Sequence, residues 1–303
     1  MANRLGERFG GISPYALVPV LLFVLVAILA PALAPYPPGT QVIADAMQGP
    51  SLAHWLGTDY LGRDLFSRLV WAARVSLMAM SIVLASALAI GVLVGSVAGY
   101  LGGKADVVLI SIIDIMLSLP SLIIALALIG IVGPGYWSMI AALTLAWWAN
   151  YARMSRAVVA GEVHQPHVEA CRVIGASHWW VFTRHILPSV LGVVLVYASA
   201  DAGALVLSIA TLSFLGLGVT PPTAEWGQML VDGMNYLEDS PSMVILPGLA
   251  LTLVVVSFNV LGEAIALQKL PRAIKGRALR KRIRIRELQE RQLKEVTSNV
   301  DDH

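Results

Sequence analysis

Six histidines and a single cysteine are the side chains best suited to nucleophilic, redox or metal chemistry in this chain. An intramembrane hydrolase needs a serine facing a general base, yet His54, His164, His167, His178, His185 and His303 all fall outside the long apolar runs. Cys171 has no second cysteine to pair with, and no Cys/His cluster has zinc-ligand spacing. No disulfide, metal or other cofactor is therefore expected. Cradling ATP requires Gly, four residues and Gly-Lys-Ser/Thr, so that backbone amides surround the phosphates. The pair Gly103-Lys104 is followed by Ala105 and has Ala98 where the first glycine belongs, so ATP must bind elsewhere. Three carboxylates remain, Asp114, Asp201 and Glu263, within or near apolar runs. An ionisable group there costs on the order of 3 kcal/mol unless it is paired or faces water. Asp114 and Glu263, near the inner ends of their runs, either line a solute pathway or pair with loop arginines. Asp201, the deepest, either lines a pathway or pairs between helices.

The elements that position these groups are set by composition. Of 303 residues, 57% are hydrophobic and 13% charged, against roughly 45 to 50% and about 25% in soluble domains. A bilayer accommodates that much apolar surface; a single soluble core does not. Crossing the hydrocarbon takes roughly 20 residues, and six apolar runs reach that length, near 14–35, 75–100, 106–132, 137–157, 189–213 and 243–266. The first follows Arg4 and Arg8 but is too long for a cleaved leader, and Pro31 to Pro38 offers no small-residue cleavage site. It reads as a retained signal anchor.

Lys and Arg collect on the cytoplasmic side of membrane proteins. With the N-terminus inside, that side holds Arg4 and Arg8, then Lys104, then Arg153, Arg156, Arg172 and Arg184, then eleven cations from Lys269 to Lys294. Only Arg63, Arg68 and Arg74 remain outside, and the outer segment 214–242 carries Glu225, Asp232, Glu238 and Asp239 without a cation. Both termini are expected in the cytoplasm. Gly91, Gly95 and Gly99 recur every four residues, which lets a neighbouring helix approach closely. Pro120 and Pro247 lie within apolar runs and predict kinks in the third and sixth helices.

Between the fourth and fifth runs the chain reads Glu169-Ala170-Cys171-Arg172-Val173-Ile174-Gly175, continuing through His185-Ile186 to Leu187-Pro188. A polar helix, a glycine turn and a second helix stopped before a proline predict a compact cytoplasmic hairpin. This stretch resembles the EAA loop of ABC importer permeases, with glutamate, glycine and Leu-Pro in register. Cys171 stands in place of an alanine and His185 in place of an isoleucine. Two further stretches, Leu56-Gly57-Thr58-Asp59-Tyr60-Leu61-Gly62-Arg63-Asp64 and Leu212-Ser213-Phe214-Leu215-Gly216-Leu217-Gly218 with Pro221 to Leu230, resemble the second permease subunit of the dipeptide, oligopeptide and nickel branch. The resemblance runs from about residue 15 to residue 266.

That resemblance implies an all-α, polytopic fold of the type I importer permease, with six transmembrane helices and a coupling hairpin. Its parts are a cytoplasmic N-terminus (1–13), the first helix with an outer segment (14–74), a five-helix core (75–266) whose coupling loop covers about 158–188, and a basic tail (267–303). It further implies a homologous second permease, two cytoplasmic ATPases that hydrolyse the ATP, an extracytoplasmic solute-binding protein, a lipid bilayer and no nucleic acid. Glu169, Ala170, Gly175, Leu187 and Pro188 are the coupling residues it assigns. Cargo is expected to be a di- or oligopeptide, with nickel as the alternative; a stand-alone channel has no use for the hairpin. Asp59, Arg63, Asp64 and Arg68 form either a contact for the binding protein or a self-paired amphipathic helix on the membrane. The tail from Arg272 to Lys294 sets Leu279, Ile283 and Leu293 roughly on one helical face, for anionic lipid, for an ATPase surface or simply for solvent.

Overall fold

The computed structural model describes residues 14–269; Arg4, Arg8 and the basic tail beyond Lys269 lie outside the described residues. Long apolar runs can satisfy their backbone groups in lipid only as helices or closed barrels, and helices are what form. They are α1 (Pro14–Leu33), α2 (Leu65–Leu101), α3 (Gly103–Ser118), α4 (Ser121–Val132), α5 (Tyr136–Glu162), α6 (Pro166–Val173), α7 (His178–Val181), α8 (Leu187–Phe214), α9 (Trp226–Met234) and α10 (Ser242–Lys269). The architecture is the expected all-α membrane fold. By length and composition, four stretches among the described residues can cross a bilayer, Ala16–Leu33, Leu65–Leu101, His178–Phe214 and Ser242–Leu267, and the bent pair α3–α4 makes a fifth.

The sixth expected crossing, α5, is not apolar enough to join them, and its surroundings explain why. It packs against α2, α3, α4 and α8, with Trp147, Trp148 and Tyr151 buried. A helix enclosed by protein need not match lipid. Its closest neighbour is α2, through the glycine row. A Cβ added at Gly91 would lie 2.5 Å from the Tyr151 Cβ, one at Gly95 would collide with the Ala152 carbonyl oxygen, and one at Gly99 would come within 2.8 Å of the Arg156 carbonyl oxygen. Residue numbers rise together along both helices, so α2 and α5 run parallel. Tyr136 is then level with about residue 79 of α2, and α3–α4 must carry the chain back by ~30 Å at 1.5 Å per residue.

That return differs from the single kinked helix expected at 106–132. The chain breaks at Leu119, whose ψ of 140° is extended, and α3 and α4 meet at 89°. The residue before a proline is driven out of helical geometry, and Pro120 then opens α4. The opposite correction applies at Pro188. Instead of a helix stopping before it, α7, a π-helical turn at Phe182–Ile186 and α8 form one helical stretch. The wider turn, in which the Leu187 N–H reaches the Phe182 carbonyl, accommodates a ring that would clash in a regular helix. In the other half of the bundle α8 and α10 run antiparallel, since Gly203 lies against Val255 and Asn259 while Gly262 lies against Ala200.

Candidate functional site

At the end of the bundle where α2 closes, α6 and α7 fold into a hairpin between α5 and α8. Pro166 occupies the first turn of α6, where its missing N–H costs nothing. Gly175 ends the helix at φ +85°. Its N–H donates to the Arg172 carbonyl and that of Ala176 to the Cys171 carbonyl, both at 3.0 Å, the paired closure of a Schellman motif. Ser177 then caps α7, its hydroxyl accepting from the Trp180 N–H at 3.2 Å. Val168, Val181 and Ile186 are fully buried beneath the hairpin. The hairpin is also fastened to the last turn of α2. Tyr100 and His178 share a hydrogen bond of 2.8 Å, and the Arg172 guanidinium stands 5.7 Å from the Tyr100 ring centre.

The opposite face is left open. Val173 and Ile174 are 86% and 81% exposed and Trp179 is 74% exposed, beside exposed Glu169 and Ala170. Glu169 has no side-chain hydrogen bond among the described residues. These apolar groups stand out on an otherwise charged loop. Leu187 and Pro188 sit instead at the root of the hairpin, where it becomes α8. Cys171 and His185, the two departures from the loop pattern, touch one another, Sγ to Nε2 at 3.7 Å.

The other end of the bundle holds a buried ion network. Arg63 Nε donates to Asp59 Oδ2 at 2.5 Å, and the terminal NH2 groups of Arg63 and Arg68 both donate to Asp232 Oδ2 at 3.1 Å. Gln228 Nε2 donates to Asp232 Oδ1 at 3.0 Å. Asp64 caps α2 by accepting from the Ser67 N–H at 2.7 Å, so the helix begins at Leu65 rather than near residue 75. Both arginines are 1% exposed. These residues are self-paired, yet they form neither an exposed contact nor an amphipathic helix lying on the membrane: they are a loop and a first helical turn clamped onto α9. Glu225, fully buried, caps α9 and accepts from the Gln228 N–H at 3.0 Å and the Ser76 hydroxyl at 2.9 Å. Sequence reasoning missed Asp232 and Glu225 as partners. The segment 14–74 is balanced, with Asp45, Asp59 and Asp64 against Arg63, Arg68 and Arg74, so the only signal was the absence of cations from 214–242, which hints at a partner without naming it.

Within the bundle, Asp114 pairs with Arg153, and Asp106 takes Arg156 in a two-pronged bond of 2.6 and 2.7 Å. Asp201 Oδ2 accepts from Trp147 Nε1 at 2.9 Å and from the Tyr151 hydroxyl at 3.0 Å. Glu263 lies exposed on α10. Asp201 is fourteen residues beyond Leu187 along α8, ~21 Å at helical rise, so the hairpin and the mid-bundle carboxylate are separate sites.

Comparison with known proteins agrees with this geometry. Residues 91–272 match the family model for the binding-protein-dependent transport system inner membrane component. The chain is 40% identical over 250 residues to the nickel transport system permease protein NikC of Escherichia coli K12, covering 82% of this chain and 90% of that one. It is 39% identical to the probable D,D-dipeptide transport system permease protein DdpC of the same strain, covering 81% and 83%. In fold it is similar to a chain of the inward-facing MetNI methionine ABC transporter, with a TM-score of 0.51, 20% identity and coverage of 65% of this chain and 96% of that one.

Proposed function

Because the chain belongs to the family of binding-protein-dependent transport system inner membrane components, we propose that its hairpin at residues 158–188 is where ATP-driven motion enters the solute pathway. The protein is a permease subunit of an ABC importer, of the branch that includes nickel and dipeptide permeases. In the proposed assembly a homologous permease forms the other half of the pathway, two cytoplasmic ATPases hydrolyse ATP, and an extracytoplasmic binding protein delivers the cargo. Residues 1–13 and 267–303 face the cytoplasm, 14–74 provide an anchor and outer segment, and 75–266 form the core.

One observation carries the coupling role: the hairpin exposes Val173, Ile174 and Trp179 while being welded to three long helices. It continues α5, runs unbroken into α8 and is bonded to Tyr100 of α2. Glu169 and Ala170 present the docking face, Gly175 sets the angle, and Leu187 and Pro188 transmit it to α8. Cargo is a di- or oligopeptide in this reading; the identity to a nickel permease favours nickel as a second one. Calorimetric titration of the cognate binding protein with dipeptides and with nickel chelates separates the two.

Orientation and docking are tested together by cysteine labelling in a Cys171→Ala background. Glu238→Cys, exposed between α9 and α10, reacts with an impermeant reagent in intact cells. Val173→Cys reacts only after the cells are opened, and binding of the ATPase protects it. Reaction of Val173→Cys from outside, or no protection by the ATPase, contradicts the proposal.

A further inference from the structure

We infer that Asp201 is a cation site at mid-depth of the solute pathway, where one carboxylate oxygen receives a positively charged group of the cargo; the inference rests on the permease reading. Asp201 stands midway along α8. Its neighbours on α5, Trp147 and Tyr151, both donate to Oδ2. These donors are neutral, so they fix the carboxylate without cancelling its charge. Asp106 and Asp114, in the same bundle, each take an arginine, whereas Oδ1 of Asp201 has no partner among the described residues. The residue is only partly buried.

Two tyrosines flank it at the same depth. Tyr197, one turn earlier on α8 and 38% exposed, stands edge-on to Tyr151 at 5.9 Å. Lipid contact would leave one charge unsatisfied in hydrocarbon, at a cost on the order of several kcal/mol. Facing a water-filled pathway removes that cost, and a fixed negative charge in such a passage concentrates cations. The ammonium group of a free amino terminus and a divalent metal ion share the chemistry this oxygen accepts.

The test uses the full chain assembled with cysteine-free partner subunits in vesicles, carrying Cys171→Ala and Tyr197→Cys. Rates are measured for a cationic aminoethyl and an anionic sulfonatoethyl methanethiosulfonate. The expected result is that the residue 197 thiol reacts, and that adding Asp201→Asn lowers the ratio of cation to anion rates on the order of tenfold. A thiol inert to both reagents, or an unchanged ratio, overturns the inference. Ser208→Cys, partly buried about two turns beyond Asp201 on α8, replaces Tyr197→Cys if that variant does not assemble. Slowing of the cationic reagent by alanyl-alanine but not by its N-acetyl form assigns the site to an ammonium group; slowing by Ni²⁺ alone assigns it to the metal. ATP hydrolysis stimulated by the loaded binding protein is followed in the same vesicles. Its absence beside an intact charge ratio counts against the permease reading and not against the cation site.

Discussion

Backbone geometry alone decides what residue 175 tolerates. A Cβ there meets nothing within 4 Å, but φ is +85°, so Gly175→Val costs about 1 to 3 kcal/mol of backbone strain and puts a branched side chain on the open face of the hairpin, where the proposal has the ATPase dock. Uptake should be abolished while the protein stays inserted, since the bundle helices satisfy their own backbone groups. Glu169→Ala should act in the same direction but only about fivefold, the worth of one hydrogen bond near 1 kcal/mol. Transport assays at matched membrane levels check both, and wild-type uptake by Gly175→Val contradicts the coupling role. Asp232 poses the reverse case. It bridges two buried arginines, and Asp232→Ala leaves both to share Asp59 alone, one buried positive charge short of a partner, at a cost of about 3 to 5 kcal/mol. A fall in the melting temperature of the detergent-solubilised protein should follow, and an unchanged value would mean that the network bears no load.

Among the elements, the α2–α5 seam is the one most sensitive to volume. Gly95→Leu places a side chain where the Ala152 backbone already stands, and the folded protein should be lost from detergent extracts. Gly130→Ala on α4 meets nothing within 4 Å and should be extracted normally; equal yields would contradict the parallel seam. This seam was legible in the sequence, because close approach in lipid demands small residues at a fixed spacing. The Schellman turn was legible for a similar reason, as a glycine after a short polar helix has few other uses. The break at Leu119 was only half legible, since Pro120 signals a disturbance without fixing its size. Continuity through Pro188 was hidden, because no local residue pattern distinguishes the π-helical turn at Phe182–Ile186 from a helix end before a proline. The pairing of Arg63 with Asp232 spans 169 residues, and nothing in the local pattern of either segment names the other.

At the scale of the whole molecule, the chain is a permease subunit of an ABC importer. One end is clamped by buried charges, the middle carries Asp201 with its two donors, and the other end presents a charged hairpin with exposed apolar groups, continuous with the long helices. A stand-alone channel of the same helices would conduct solute down a gradient without help; a coupled permease does not. Solute flux into vesicles, with and without ATP, therefore tests the central claim most directly. The chain alone should neither hydrolyse ATP nor pass solute, and flux should appear only with ATP, both ATPases, the second permease and the loaded binding protein together. Downhill flux through the chain by itself, with no ATP present, would contradict the account.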